Sequence, residues 1–295
     1  MTYLLLPEIQ IQNANALSSL CTIGFPAMTA WMGAMHALER KARLTESLRE
    51  VRFISLGVIS HESRLQVYKN PGDCYYSIAI SSNPLRKKGG NTFERPPFIE
   101  DPRIHLNVSL LIKCSGLTPD NEDALLAVIG ETLPLLKMAG GDILSFKKPT
   151  VYYLSEEHPE GQKKLLHRLM PGFALIERRR LLEETENQNT DSLEPFLSFL
   201  SIHHAAEKED GDALRWSSKR RNAGWLIPIV VGFQGLTHLG KVKNQRNPTV
   251  LHRFAEPVIT LGEFKMPFRV SSVEDLMWHY EYDEGNDLYI CKNEK

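Results

Sequence analysis

Between Ala213 and Ala255 the chain carries eight lysines or arginines and no aspartate or glutamate: Arg215, Lys219, Arg220, Arg221, Lys241, Lys243, Arg246 and Arg253. The protein as a whole has 295 residues, a formal net charge of −1 and 24% charged residues, so this stretch is a positive island in a neutral molecule. Such side chains suit a polyanion, because each cation that meets a phosphate releases a condensed counterion. Trp216, Trp225 and Phe233 are interleaved with the charge and offer flat surfaces on which an unpaired base can stack. The competing reading is a solvated basic face above ordinary core aromatics, since blocks of like charge often simply stay hydrated. Phosphate contacts carry no sequence information, so recognition would also need base-edge contacts. Asn13, Asn15, Asn222 and Asn244 can supply paired donors and acceptors, although for Asn13 and Asn15 a turn role after the first strand is an equal alternative.

A second kind of chemistry comes from the ten histidines. Metal-independent RNA cleavage requires a general base within reach of a ribose 2′-hydroxyl and a cation for the developing charge. His105 alternates with Ile104 and Leu106 and shares a face with Asn107, Ser109 and Lys113, a polar surface on which RNA could lie. No aromatic pair accompanies it, so stacking on the sheet is not expected. His203 and His204, with Glu207 nearby, suggest a metal only weakly. On a helix adjacent side chains diverge by about 100°, and no cysteine stands close enough to complete a site. No metal or cofactor is therefore expected.

These residues need a frame. Residues 3–12 end in strand-like alternation (Ile9 and Ile11 against Gln10 and Gln12), and Met28, Trp31, Met32, Met35 and Leu38 recur at helical spacing to about Lys41. The methionine stripe is expected to be core. Val51–His61 reads as a second strand. Cys74–Ser81 and residues 104–112 read as two more, joined by a long arm containing Arg86, Lys87, Lys88, Phe93 and Phe98. Glu122–Met138 reads as a second helix and Thr150–Leu154 as a closing strand. The order βαββαβ predicts an α+β, ferredoxin-like (RRM-like) core over residues 1–154, with the arm at 82–103 and additional C-terminal strands. Residues 155–212 carry thirteen acidic against seven basic residues and read as an acidic, partly helical insert, with helical spacing from Leu193 to Ala206. Residues 213–295 form the basic, β-rich remainder, packed on the core; a glycine-punctuated loop from Gly240 to Pro248 competes with the arm as the protruding element.

Composition excludes several classes. With 42% hydrophobic residues the chain can build a sizeable core, and its apolar runs fall short of the roughly 20 residues that span a bilayer. The opening Met1–Pro7 lacks the basic region and cleavage site of a signal peptide and reads as a strand. Cys21, Cys74, Cys114 and Cys291 are far apart, as in a reducing cytoplasm, where the protein is expected to reside. A neutral overall charge points to local nucleic-acid contact shared with partner subunits rather than free binding to DNA.

Several blocks together resemble a known family. Ile9-Gln10-Ile11-Gln12-Asn13-Ala14-Asn15-Ala16, Gly24-Phe25-Pro26-Ala27 and His36-Ala37-Leu38 are similar to the opening of the Csy-two family, Cas-five-type subunits of type I-F CRISPR surveillance complexes. Arg103 to Leu110, Gly224-Trp225-Leu226-Ile227-Pro228, Arg253-Phe254-Ala255-Glu256-Pro257, Leu261-Gly262-Glu263-Phe264 and Leu288 to Asn293 continue the likeness, whereas 155–212 matches poorly. Cys21 and Ile23 stand where the family pattern carries a Pro-Leu-Thr-Trp sequence, so no stacking role transfers there. The resemblance implies a RAMP-type fold with a protruding thumb and a non-catalytic role. Such a subunit caps the 5′ repeat-derived handle of a guide RNA and docks the large subunit and the backbone filament, meeting target DNA only indirectly and no membrane. With the residue readings above, it favours RNA contact at Lys219, Arg220, Arg221, Asn222, Lys241, Lys243, Asn244, Arg246, Arg253, Asn13, Asn15 and His105, and the arm with Arg86, Lys87, Lys88, Phe93 and Phe98 fits the thumb. Gly232, Gly235 and Gly240 loosely resemble the RAMP glycine-rich loop. The alternative is a metal-independent endoribonuclease that processes repeat RNA, as some Cas-five-type relatives do, with His105 as base. A small-molecule enzyme lacks any supporting motif.

Overall fold

The structure, a computed structural model, describes residues 1–79, 84–96, 101–155, 159–186, 193–208 and 214–293. Strand β1 (Thr2–Asn15) runs through a small ribbon, β2 (Leu17–Ser19) and β3 (Thr22–Ile23), into helix α1 (Met28–Ala42). Met28, Trp31, Met32, Met35 and Leu38 are all buried on α1, so the methionine stripe is core. Strand β4 (Arg52–Leu65) follows. Two small ribbons then stand off the sheet, β5 (Val67–Tyr68) with β6 (Ser77–Ile78) and β7 (Arg86–Gly89) with β8 (Thr92–Glu94), before the chain returns in β9 (Arg103–Ser115). The expected strand from Cys74 shrinks to Ser77–Ile78. Instead β4 is the neighbour of β9, in register from Arg52↔Ser115 to Leu65↔Ile104, because fourteen unbroken strand residues outcompete a segment that follows Pro71-Gly72.

Helix α2 (Pro119–Thr132) begins where Asn121 Oδ1 accepts the Thr118 N–H at 2.9 Å. It ends before the expected Met138 because Pro134 has no N–H to donate, and residues 133–135 tighten into a 3₁₀ turn. Three short strands follow: β10 (Lys137–Met138), β11 (Gly141–Ser145) and β12 (Thr150–Tyr153). Gly141 lies so close to β1 that an added Cβ would sit 2.7 Å from the Gln12 carbonyl oxygen.

The remainder comprises α3 (Pro159–Arg168), β13 (Phe173–Glu177), α4 (Arg180–Glu186), α5 (Leu193–Leu200), a hairpin of β14 (Ile202–Lys208) and β15 (Leu214–Arg220), and then β16 (Trp225–Gly235), β17 (Ala255–Lys265), β18 (His279–Asp283) and β19 (Leu288–Lys292). Two expectations are corrected here. The helix near Leu193 stops at Leu200, and His203 and His204 lie on a strand, pointing to opposite faces. The acidic segment is also stitched into the main sheet, since β13 pairs with β4 on one side and β17 on the other and buries Ala174, Leu175 and Ile176. Net charge over a long window conceals so short an apolar strand.

Among the described residues, eleven strands form one antiparallel sheet in the order β10-β11-β1-β9-β4-β13-β17-β16-β19-β18, with β12 also paired to β1. The architecture is α+β. The sheet curls about α1, which packs on β4, β16 and β19. One face of the β1, β9 and β4 strands joins α1 and α2 in the larger core. The opposite face is covered over part of its length only, where Tyr3, Leu5, Ile59 and Leu111 meet Leu165 and Leu166 of α3, Leu169 just beyond it, and Val273, Leu276 and Met277. Asn293 locks the C-terminal strands down: its Nδ2 donates to the carbonyls of Asp275 (3.0 Å) and Met277 (3.1 Å), and its Oδ1 accepts from the Glu177 N–H at 3.1 Å. No helix among the described residues is long and apolar enough to cross a membrane.

Candidate nucleic-acid interface

Where α3 stops covering the sheet, alternation on β9 leaves His105 and Asn107 facing out, with Ile104, Leu106 and Val108 in the core behind them. The register sets Gln10 beside Asn107 on one side, and Glu62 and Arg64 beside Asn107 and His105 on the other. These side chains and Gln12 line a groove of about 280 Å³. Arg64 and Glu62 neutralise each other at 2.6 Å, which leaves an uncharged floor rich in amides. Asn107 Oδ1 is buried there without a hydrogen-bond partner. An orphaned acceptor of this kind costs about 1–3 kcal/mol; it lies beneath the groove surface, shielded from solvent.

At one end of the groove the arm is rooted. Asn13 sits at positive φ (58°) in a bulge of β1, and its N–H donates to His105 Nδ1 at 3.3 Å. Gln66, the residue after β4, reaches Asn13 Oδ1 (2.5 Å) and His105 Nε2 (3.2 Å), while its backbone N–H donates to the Arg103 carbonyl at 2.8 Å. The sequence-predicted Asn13 and His105 are thus brought together, and they brace the point where the chain leaves for the arm and returns. Asn15 does not join them: its amide closes a turn with both the N–H and the carbonyl of Leu17.

On the arm, Arg86, Lys87 and Phe93 are exposed, and Lys88 pairs with Glu94 at 2.9 Å. Phe98 lies outside the described residues. Tyr75 and Tyr76, which sequence reading passed over, are also exposed, with Lys69 Nζ 5.5 Å from the Tyr76 ring centroid. Their signal was available, since paired aromatics in a segment opened by Pro71 and Gly72 have no strand to pack under.

The family model described as CRISPR-associated protein (Cas_Csy2) matches residues 4–291. CRISPR-associated protein Csy2 of Pseudomonas aeruginosa (strain UCBPP-PA14) is 31% identical over 312 aligned positions, covering 97% of this chain and 93% of that protein. The chain belongs to the Csy2 family. The resemblance to type I-F CRISPR subunits read from the sequence is thereby borne out, and the family match also runs through 155–212, where the sequence blocks had shown little likeness.

In this Csy2-family fold the basic island is not one surface. Lys219 and Arg220 end the β14–β15 hairpin, whereas Lys241, Lys243 and Arg246 lie in the loop between β16 and β17. The full eleven residues of β16, roughly 35 Å of extended chain, separate the two groups. Lys219, Arg220, Lys241, Lys243 and Arg246 are exposed. Arg221 is anchored, with Nη1 on Ser198 Oγ at 2.5 Å and its guanidinium 4.4 Å from the Phe199 ring centroid. Asn222 is half-buried in the same turn, and Asn244 takes positive φ (62°) at the tip of its loop.

Arg253 is drawn into a structural contact. It is largely buried and pairs with Asp287 at 2.6 Å, joining the base of the β16–β17 loop to the β18–β19 turn and holding the Asp287 carboxyl below the usual carboxylate range. The interleaved aromatics divide as well. Trp225 packs on Phe173 and Phe264, and Phe233 stacks on Tyr289; Trp216, 70% exposed, keeps an open face. At Gly232 an added Cβ would lie 2.1 Å from the Tyr289 carbonyl oxygen, so that glycine serves strand packing rather than phosphate approach.

Proposed function

We propose that this Csy2-family protein is a non-catalytic guide-RNA-binding subunit of a type I-F surveillance complex. In this reading it captures the 5′ repeat-derived handle and docks the large subunit and the backbone filament, while guide pairing reads the target DNA. The observation that carries the reading is the uncharged, amide-lined groove at the root of a basic arm. Amides match base edges, whereas the cations of the arm match phosphates. The strand order β11-β1-β9-β4, with α1 and α2 on one face, supports the RAMP-type, ferredoxin-like core that the family resemblance implies. Exposed Leu236, Leu239, Leu251 and Phe254 around the β16–β17 loop support docking by a protein neighbour at that end of the molecule.

The endoribonuclease reading fits His105 less well. One ring nitrogen already receives the Asn13 N–H and the other faces the Gln66 amide, so neither is free to take a proton from a ribose. Incubating the purified chain with its repeat RNA in the absence of metal separates the two. Retention of intact RNA, weakened by Gln12→Ala or Asn107→Ala, is the expected result. Cleavage that His105→Ala abolishes would replace this proposal with the nuclease.

A further inference from the structure

Further along the same sheet face lies a second cavity, of about 340 Å³, that neither the basic island nor the arm includes. Its polar floor is a relay. The Glu8 N–H donates to Ser109 Oγ (3.0 Å), Ser109 lies 2.6 Å from His61 Nε2, and His61 Nδ1 meets the Pro171 carbonyl. Gly172 lets the ring approach, because a Cβ there would stand 2.8 Å from His61 Nδ1. Its rim is cationic: Lys147 and Lys148 come from the turn between β11 and β12, and Arg168 from the last turn of α3. Glu8 engages Lys147 at 2.5 Å. Lys148 and Arg168 have no ion-pair partner among the described residues, and both are exposed.

Offsetting the C-terminal dipole of α3 explains Arg168 alone. It does not explain why a separate turn brings Lys148 to the same cavity, nor why Glu8, the only carboxylate lining it among the described residues, is already committed to Lys147. Like charges converging on one concave site in excess of the counter-charge there raise the local potential and select an anion. Thr150, on the same wall, adds a hydroxyl donor. From this convergence we infer that the cavity is a phosphodiester-binding pocket, in which Lys148 and Arg168 clasp one or two backbone phosphates of a nucleic acid. Its distance along β9 from the amide groove, one pleat from Asn107 to Ser109, is about 7 Å, close to the spacing of successive nucleotides in an extended single strand.

Guide RNA and target DNA carry the same backbone chemistry, so the test uses both. The full-length chain is titrated by fluorescence anisotropy, across a salt series, against a labelled single-stranded RNA and a labelled DNA duplex of equal length. In Lys148→Ala/Arg168→Ala the slope of log K against log salt falls by about 1.4 for the single strand or about 1.8 for the duplex, if two phosphates are met. A fall with RNA alone assigns the pocket to the guide, and a fall with duplex alone assigns it to the target. Unchanged slopes with both overturn the inference. Lys148→Arg/Arg168→Lys keeps the charge and must keep the parent slope, so a slope lost in this variant also counts against the pocket. Gln12→Ala and Asn107→Ala, measured alongside, report on the groove, and either site can fail while the other stands.

Discussion

The hairpin cations offer the sharpest quantitative test. Lys219, Arg220 and Arg221 are consecutive, and charge alone assigns them three phosphates. Intramolecular partners leave two of them available. Arg221 is spent on Ser198 and Phe199, whereas Lys219 has no partner among the described residues and Arg220 approaches the Gly224 carbonyl only at 3.5 Å. Each phosphate contact on a single strand contributes about 0.7 to the salt slope, so Lys219→Ala/Arg220→Ala should flatten it by about 1.4, and adding Arg221→Ala should flatten it no further. Between about 50 and about 200 mM salt the parent then loses about sevenfold more affinity than the double variant. Arg221→Ala should instead cost about 1–2 kcal/mol, the sum of a cation–π contact and a hydrogen bond, seen as a lower Tm with an unchanged slope. Anisotropy titration of labelled guide RNA across a salt series measures the first effect, and thermal unfolding the second. A triple variant whose slope drops by about 2.1 would show Arg221 on phosphate and refute the anchoring argument; an unchanged slope would remove the hairpin from the interface.

Two further outcomes are expected. Replacing Arg86–Glu94 with a short Gly-Ser linker removes a ribbon that, among the described residues, pairs only with itself, so Tm should hold while assembly with sibling subunits falls; a globally unfolded product, seen by circular dichroism, would make the arm part of the core. Burial pushes the Cys114 and Cys291 thiols up to about 12, so at pH 8 only about one molecule in ten thousand carries either thiolate. A thiol reagent should therefore label exposed Cys21 and Cys74 and spare the buried pair until the protein unfolds, and rapid labelling of all four in the native state would contradict the packing.

Much of the frame was legible because it is local. The alternation of Ile104 to Ile112 and the 3.6-residue spacing of Met28 to Leu38 follow from how side chains leave a strand or a helix, so β9 and α1 could be read directly. The boundaries that failed depended on competition between segments. Nothing near Cys74 announces that β4 will take its place beside β9, and nothing in an acidic stretch announces that Phe173–Glu177 will be clamped between β4 and β17.

For the site, sequence by itself determined which chemistries were present: a cation-rich segment, an amide-rich first strand, a histidine alternating with core residues, and family blocks at both ends of the chain. Proximity was decided only by the tertiary structure. Neighbours in sequence can be far apart when a strand lies between them, as β16 does between Arg221 and Lys241, while Asn13, Gln66 and His105 meet because three strands pair side by side. Pairing also decided availability, taking Arg253 and Arg221 out of the cationic surface and leaving Lys148 and Arg168, which no motif singled out, converging on one cavity. Charge can be counted along a chain. Whether that charge is free to meet a ligand depends on the partner that folding places beside it.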